Sequence, residues 1–339
     1  MRVRVGINGM GRVGRAVLRG ISGRADCGVE VVAVNDLVPI PTLAHLLRYD
    51  STYGRWPAEI ETDDQNLSVD GDLIRVFDHA RPEDLDWRLV GVDVVVEATG
   101  RFRDRTRAGA HVAHGGARKV VLTSPGKGLD ATIVMGLNED TYSAREHDVI
   151  SNASCTTNCA APMVSVLHHA FGIQHGLLTT VHAYTGDQNL QDGPHKDLRR
   201  ARAAAVNMIP TSTGAARAIT EIMPELAGRL DGIAVRVPVA DVSLVDLTVQ
   251  LAEEATVGQI NRAFSVAADG RLKGFLRYTT DPIVSSDVLG DPASCVFDAG
   301  LTTVTGNLAK VFGWYDNEWG YAQRTIDLVE MVARTLPDR

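Results

Sequence analysis

Three glycines near the start of the chain, Gly9, Gly11 and Gly14, restrict what it can fold into more than any other stretch. They stand between an apolar run at residues 2–7, read as a buried strand, and a helical pattern opening at Ala16, Val17 and Leu18. In that setting G-x-G-x-x-G gives a tight turn, close approach of backbone to a pyrophosphate, and close helix–strand contact. The unsatisfied N–H groups of the helix N-terminus favour an anion at the same place. A second strand, residues 29–34, runs into Asn35 and Asp36. Asp36 follows the last glycine by about 20 residues, where an acid accepts hydrogen bonds from an adenosine ribose. A glycine-rich turn followed by an ordinary surface acid explains the glycines alone. Strand, turn, helix, strand and acid in sequence predict a dinucleotide-binding half.

At 339 residues the chain exceeds a single core, because cores stop growing at about 250–300 residues. Residues 43–47 read as helix and 55–77 as short strands broken by turns. The doubly wound pattern resumes with a strand at 93–98, a helix at 101–114 and strands at 119–122 and 148–150. Ligands gather outside the carboxyl ends of such strands. That rule nominates Asp36, Thr99, Gly100 and Thr123 as cofactor contacts, with residues 151–155 at the last strand end. It also predicts that Cys155 is delivered to the nicotinamide end of a bound dinucleotide.

Residues 151–162 carry small hydroxyl and amide side chains ahead of a helical pattern, with Ser151, Asn152 and Ser154 all suited to cap it. Cys155 is therefore predicted at a helix N-terminus, where the macrodipole lowers a thiol pKa and favours the nucleophilic thiolate. A buried structural cysteine fits the local pattern as well. The other cysteines, Cys27, Cys159 and Cys295, form no disulfide framework and no zinc-ligand set. A reduced, cytoplasmic protein with no metal is expected. A formal charge of -8 argues against general nucleic-acid affinity. No apolar run reaches the roughly 18–20 residues that span a membrane.

Beyond residue 162 strands outnumber helices: 177–184, 233–239, 243–251 and 309–315. This predicts a mainly antiparallel sheet with helices on one face. The turn at 211–215, rich in Thr, Ser and Gly before a helix at 216–222, is a second anion site of the helix N-terminal kind. A last helix is expected at 321–336. The fold class is α/β: a Rossmann doubly wound parallel sheet over residues 1–154, and an α+β catalytic domain over 155–318. A terminal helix at 319–339 returns to the first domain. His182, Arg200 and Arg236 default to ordinary roles unless the fold gathers them, although Arg236 inside an apolar strand favours an internal anion partner.

The stretch 151–159, Ser-Asn-Ala-Ser-Cys-Thr-Thr-Asn-Cys, closely resembles the active-site signature of phosphorylating glyceraldehyde-3-phosphate dehydrogenases. The likeness extends to residues 8–15, 180–185, 210–216 and 314–321, and so runs the whole length. The resemblance implies that Cys155 attacks the substrate aldehyde and that His182 takes a proton and helps hold the oxyanion. It assigns Ser154, Thr156, Thr213 and Gly214 to the attacking phosphate. Thr185 and Arg236 would hold the substrate phosphate, with Arg200 close to both. On the NAD side it gives Arg12, Val13, Asp36, Arg81, Thr123 and Asn317 beside the three glycines, with Asn317 fixing the nicotinamide carboxamide. It further implies a homotetramer.

Some positions depart from the family pattern. Thr123 stands where serine is usual and Met10 where phenylalanine is, changes that keep the hydroxyl and the bulk. Gly193-Pro194 occupies the pair that works with Asp36 in cofactor choice; Asp36 and Pro194 favour NAD, while Gly193 leaves room for some NADP use. An erythrose-4-phosphate dehydrogenase, with water finishing the thioester, is the nearest alternative. A semialdehyde dehydrogenase lacks reason for Thr213, Gly214 and Arg236, and a binding protein without turnover lacks reason for Cys155 with His182.

Overall fold

The strand Val3–Asn8 lies inside a nine-stranded sheet, and a computed structural model describes it together with the rest of residues 2–337. Its neighbours are Val29–Asn35 on one side and Val94–Glu97 on the other, both parallel to it. Lys119–Leu122, Val149–Ser151 and Ala131–Thr132 continue the parallel ladder beyond Val94–Glu97. Asp72–Phe77 extends it from Val29–Asn35, and Asn66–Val69 and Ile60–Thr62 close that edge antiparallel. Strands covered on both faces read as unbroken apolar runs. Val94, Val95 and Val96 are accordingly all buried.

The glycine turn has a steric cause. Gly9 adopts φ +96°, and a Cβ on Gly14 would stand 2.0 Å from the Gly9 carbonyl oxygen. Gly14→Ala is therefore expected to push the helix Arg12–Ser22 off the strand and destabilise the protein by about 3 kcal/mol. Urea unfolding compared with wild type measures this; an unchanged midpoint would mean that the turn absorbs the methyl group.

By internal contacts the chain forms two compact units, one of Met1–Ile133, Glu139–Ala153 and Ala322–Arg339, the other of Val134–Asn138 and Ser154–Tyr321. The helix Arg105–Ala113 is shorter than expected because Asp104 caps it, accepting from the Arg107 N–H. The terminal helix, Trp319–Arg334, starts at residue 319, as the 319–339 expectation has it and two residues ahead of the 321–336 pattern, because Asp316 Oδ1 accepts from the Glu318 and Trp319 N–H groups at 3.0 and 2.7 Å. From Ala322 onward it belongs to the first unit. There Arg24 reaches Asp327 at 2.8 Å and Glu330 at 3.1 Å, and Ile326 lies so close to Gly20 that a Cβ would meet it at 2.5 Å. Residues 338 and 339 of the expected terminal helix lie outside the described residues.

The second unit is built on a sheet in the order Ile209–Ser212, Leu230–Val237, Ile173–Ala183, Ser243–Leu251, Leu308–Tyr315, Cys295–Asp298, Leu276–Thr279, with Thr303–Thr305 paired to Leu308–Tyr315. The sheet is mainly antiparallel, but two pairs run parallel: Ile173–Ala183 with Leu230–Val237, and Leu276–Thr279 with Cys295–Asp298. The helix Cys155–Phe171 is buried nearly all round over the twelve residues from Thr156 to Leu167 and packs against the sheet. Sequence reading passed over the helix Val257–Asp269, whose Phe264 stacks on Phe297 with ring centres 3.7 Å apart.

Candidate active site

In the first unit four of the residues nominated for a dinucleotide, Gly9, Gly11, Asp36 and Thr99, line a cleft of about 360 Å³ together with Phe102; Arg12, Val13, Gly14, Arg81, Gly100 and Thr123 are not among its lining residues. Gly11 caps the helix Arg12–Ser22 with no side chain, leaving the first-turn donors unclaimed by any cap, and a Cβ on Gly11 would meet only open space. Asp36 is pinned at the rim, accepting from the Met10 N–H at 2.7 Å and the Val38 N–H at 3.1 Å. An open helix N-terminus, a side-chain-free approach and a fixed acid suit a dinucleotide. Arg12 pairs with Asp50, Arg81 is turned onto Asp84, and the Thr123 hydroxyl donates to the Glu97 carbonyl at 3.2 Å. Val13 is half-buried in the first turn of the helix. His79, Ala80 and Arg101 also line the cleft, and sequence reading did not single them out.

In the second unit Cys155 opens the helix Cys155–Phe171. Ala153, at φ +55°, turns the chain sharply, and Ser154 caps the helix by accepting from the Thr157 N–H at 3.1 Å. The sheet brings His182 to the thiol: Nε2 lies 3.5 Å from Sγ. Arg236 is the register partner of His182 on the adjacent parallel strand, so its guanidinium reaches Nδ1 at 2.8 Å and the Ala183 carbonyl at 3.0 Å.

Nδ1 itself lies 2.7 Å from that carbonyl. It thus faces an acceptor and a donor together, and either tautomer finds a partner. With the proton on Nδ1, Nε2 presents a lone pair to the sulfur; with Arg236 donating to Nδ1, Nε2 carries the proton. A base that takes a proton at Nε2 and later returns it keeps Nδ1 protonated throughout, as the Ala183 carbonyl favours, and passes through the imidazolium.

The electrostatics depart from the sequence expectation in one respect. Burial pushes the Cys155 thiol up, and the opposing pull of Arg236 and the Thr156 N–H does not overcome it. A helix N-terminus alone does not create a standing thiolate here. Burial and the Arg236 charge hold His182 down to about 3, so the imidazole is neutral at pH 7. The resting pair is thiol and imidazole.

Three of the anion-binding candidates, Thr185, Arg200 and Arg236, gather around Asp187. Thr185 donates to Asp187, Arg200 donates to Asp187 at 2.7 Å, and Arg236 stands 3.4 Å from the Thr185 hydroxyl. The Asp187 carboxylate thus takes donors that suit a phosphate. Although burial raises it, Thr185, Arg200 and Arg236 keep it below the usual carboxylate range. Arg200 also reaches Asp197, which hydrogen bonds led by the Thr211 hydroxyl lower to about 2. Gly214 caps the helix Ala215–Ile222 with exposed backbone, and Thr213 accepts from the Ala215 N–H at 3.2 Å. The Thr156 hydroxyl is shared with Tyr315 at 2.9 Å. Gly193 and Pro194 lie in an irregular stretch, where Gly193 donates to the Ala201 carbonyl at 2.9 Å.

Three residues at this site went unnoticed in the sequence. Tyr315 sets its hydroxyl between Thr156 and Thr180, 2.9 and 2.8 Å away, with its ring edge on His182. Asp187 is the second. Ser243 is the third; it binds Asn317 Oδ1 at 2.6 Å. Each sits in or beside a strand, where a polar residue reads as surface. No three or more of the metal-ligating side chains cluster among the described residues, and no described helix is long and apolar enough to cross a membrane.

Residues 3–105 match the family model described as glyceraldehyde 3-phosphate dehydrogenase, NAD binding domain, and residues 154–317 match its C-terminal domain. Among curated relatives, glyceraldehyde-3-phosphate dehydrogenase 2 of Streptomyces arenae is 53% identical over 336 residues, covering 99% of this chain and 100% of its own. The glyceraldehyde-3-phosphate dehydrogenase of Streptomyces coelicolor is 54% identical over 338 residues with the same coverage. That of Mycobacterium avium is 53% identical over 341 residues, again with 99% and 100% covered.

Proposed function

This chain belongs to the glyceraldehyde-3-phosphate dehydrogenase family, and from that premise we propose that it converts D-glyceraldehyde 3-phosphate, NAD and inorganic phosphate reversibly to 1,3-bisphosphoglycerate. The observation that carries the reading is the thiol of Cys155 set 3.5 Å from His182 Nε2 beside Arg236. NAD is the cofactor, and when bound it supplies the hydride acceptor.

The chain's own residues account for the remaining steps. Sγ attacks the aldehyde carbon as its proton passes to Nε2, and the carbonyl oxygen is held by the protonated imidazole. The imidazolium gives that proton to the new alkoxide, forming the thiohemiacetal hydroxyl, and Nε2, neutral again, takes it back as hydride departs, leaving a thioester on Cys155. A phosphate oxygen attacks the thioester carbon, and the sulfur leaves as the acyl phosphate forms. Thr185 and Arg236 bind the substrate phosphate, Ser154, Thr156, Thr213 and Gly214 the attacking phosphate, and Arg200 serves both. An anion on Arg236 offsets the charge that depresses His182 and strengthens the base when substrate arrives. Gly9, Gly11 and Gly14 with Arg12, Val13, Arg81 and Thr123 hold the dinucleotide, Asp36 its ribose, and Asn317 its carboxamide.

Assaying glyceraldehyde 3-phosphate and erythrose 4-phosphate with NAD or NADP, with and without phosphate, tests this. NADH should form from the triose only when phosphate or arsenate is present. Equal rates without either would favour the hydrolytic alternative. The Asp36 carboxylate repels a 2′-phosphate, so kcat/KM should favour NAD clearly, and Asp36→Ala should narrow the preference by about tenfold. A wild-type preference for NADP would reverse this assignment.

We also propose a homotetramer. Leu177, Ile233 and Leu308 on the sheet, and Leu190, Leu198, Val206 and Met208 in the segment following His182, are large apolar side chains left exposed. Self-association would cover them. The four thiols are all unpaired, in keeping with a reducing cytoplasm.

A further inference from the structure

Val242 is β-branched and buried, yet its backbone is left-handed at φ +69°. Such a residue is an outlier that persists only where its surroundings dictate it, and outliers of this kind gather at functional sites. Its side chain fills a small apolar cluster with Val288, Ala293 and Val296, and its N–H donates to Asp241 at 2.8 Å. The turn delivers Ser243, which is 1% exposed, at the start of the strand Ser243–Leu251.

The Ser243 hydroxyl has two neighbours. Its oxygen accepts from the Ala183 N–H at 3.1 Å, next in the chain to His182. Its proton is then directed to Asn317 Oδ1, 2.6 Å away. A hydroxyl has one proton and two lone pairs; here one lone pair takes the Ala183 N–H and the proton goes to Asn317. Asn317 is itself only 6% exposed. Oδ1 is held by Ser243, and Nδ2 has no hydrogen-bond acceptor among the described residues. The N–H2 group of a buried asparagine so held can donate to a ligand's carbonyl oxygen.

We propose that Ser243 is a positioning residue: it locks the Asn317 amide so that Nδ2 meets the carboxamide carbonyl of the nicotinamide. The inference rests on the reading of Asn317 given above and adds the residue that sets its orientation. Without the hydroxyl, Oδ1 loses its donor and the amide can turn an oxygen toward the carboxamide oxygen, so recognition of that group alone should suffer.

The test is calorimetric titration of the full-length protein with NAD and with ADP-ribose, which lacks the nicotinamide. Ser243→Ala should weaken NAD about tenfold while leaving ADP-ribose within about twofold, the loss of one oriented hydrogen bond. Ser243→Cys, which keeps a weak donor, should fall between. Asn317→Ala should reproduce the NAD defect, and adding Ser243→Ala to it should cost nothing further. ADP-ribose binding doubles as the check that each variant is folded. If Ser243→Ala weakens both ligands equally, or neither while Asn317→Ala weakens NAD, Ser243 does not orient the amide. If Asn317→Ala leaves NAD at its wild-type affinity, the carboxamide contact itself fails and this inference with it.

Discussion

Cys155→Ser should cut phosphate-dependent NADH formation from glyceraldehyde 3-phosphate by about a thousandfold or more. The reason lies in the base it faces. Burial and Arg236 hold His182 to about 3. A thiol can hand its proton to so weak an acceptor as attack proceeds, because even a raised thiol remains far more acidic than an alcohol. The serine hydroxyl cannot. The dinucleotide cleft of the first unit contains no part of residue 155, so NAD should still bind. Loss of rate with NAD affinity intact is the expected pair of results, and a serine variant at wild-type rate would remove the sulfur from the mechanism. Alkylation gives a second view. With burial pushing the thiol up, iodoacetamide labelling of the protein without substrate should climb as pH rises above the ordinary thiol range.

His182→Asn is expected to lower kcat by about 10²–10⁴-fold, the usual worth of a positioned acid–base group. It should also change how acid unfolds the protein, and the sign follows from linkage. His182 is 4% exposed and titrates near 3 in the fold against an ordinary value of 6.5. Between those values the unfolded chain binds a proton that the folded chain refuses, so stability rises with pH and is lost on acidification. The loss amounts to about 2 kcal/mol from pH 7 to pH 5. Urea melts at those two pH values should show a smaller drop in the asparagine variant by about that amount. Equal drops in both proteins would mean that this imidazole is not held neutral.

The dinucleotide half was legible because its signals are local. Gly9, Gly11, Gly14 and Asp36 fall within one strand–helix–strand unit, and the strands there are continuous apolar runs. The second unit was legible only as a class. Nothing in the chain shows that Leu230–Val237 lies parallel beside Ile173–Ala183, yet that pairing alone places Arg236 on His182. Their meeting was foreseen through resemblance, not through pattern. The helix Val257–Asp269 did carry a signal that went unused: a capping box of Thr256 and Gln259 ahead of Ile260, Phe264 and Ala267. The thiol was misjudged because sequence shows the helix terminus and hides the burial that opposes it. Tyr315 and Ser243 became visible only once the strands were side by side.

The passage of the chain between the two units sets an order of completion during synthesis. Every residue of the second unit has been made once Tyr321 is added, while the first unit still lacks Ala322–Arg339. Arg24 therefore waits nearly the whole length of the polypeptide for Asp327 and Glu330. The amino-terminal portion should be the last to lock, and chains stalled at Tyr321 should lose it to protease first; cleavage beginning in the carboxy-terminal portion instead would show the reverse order.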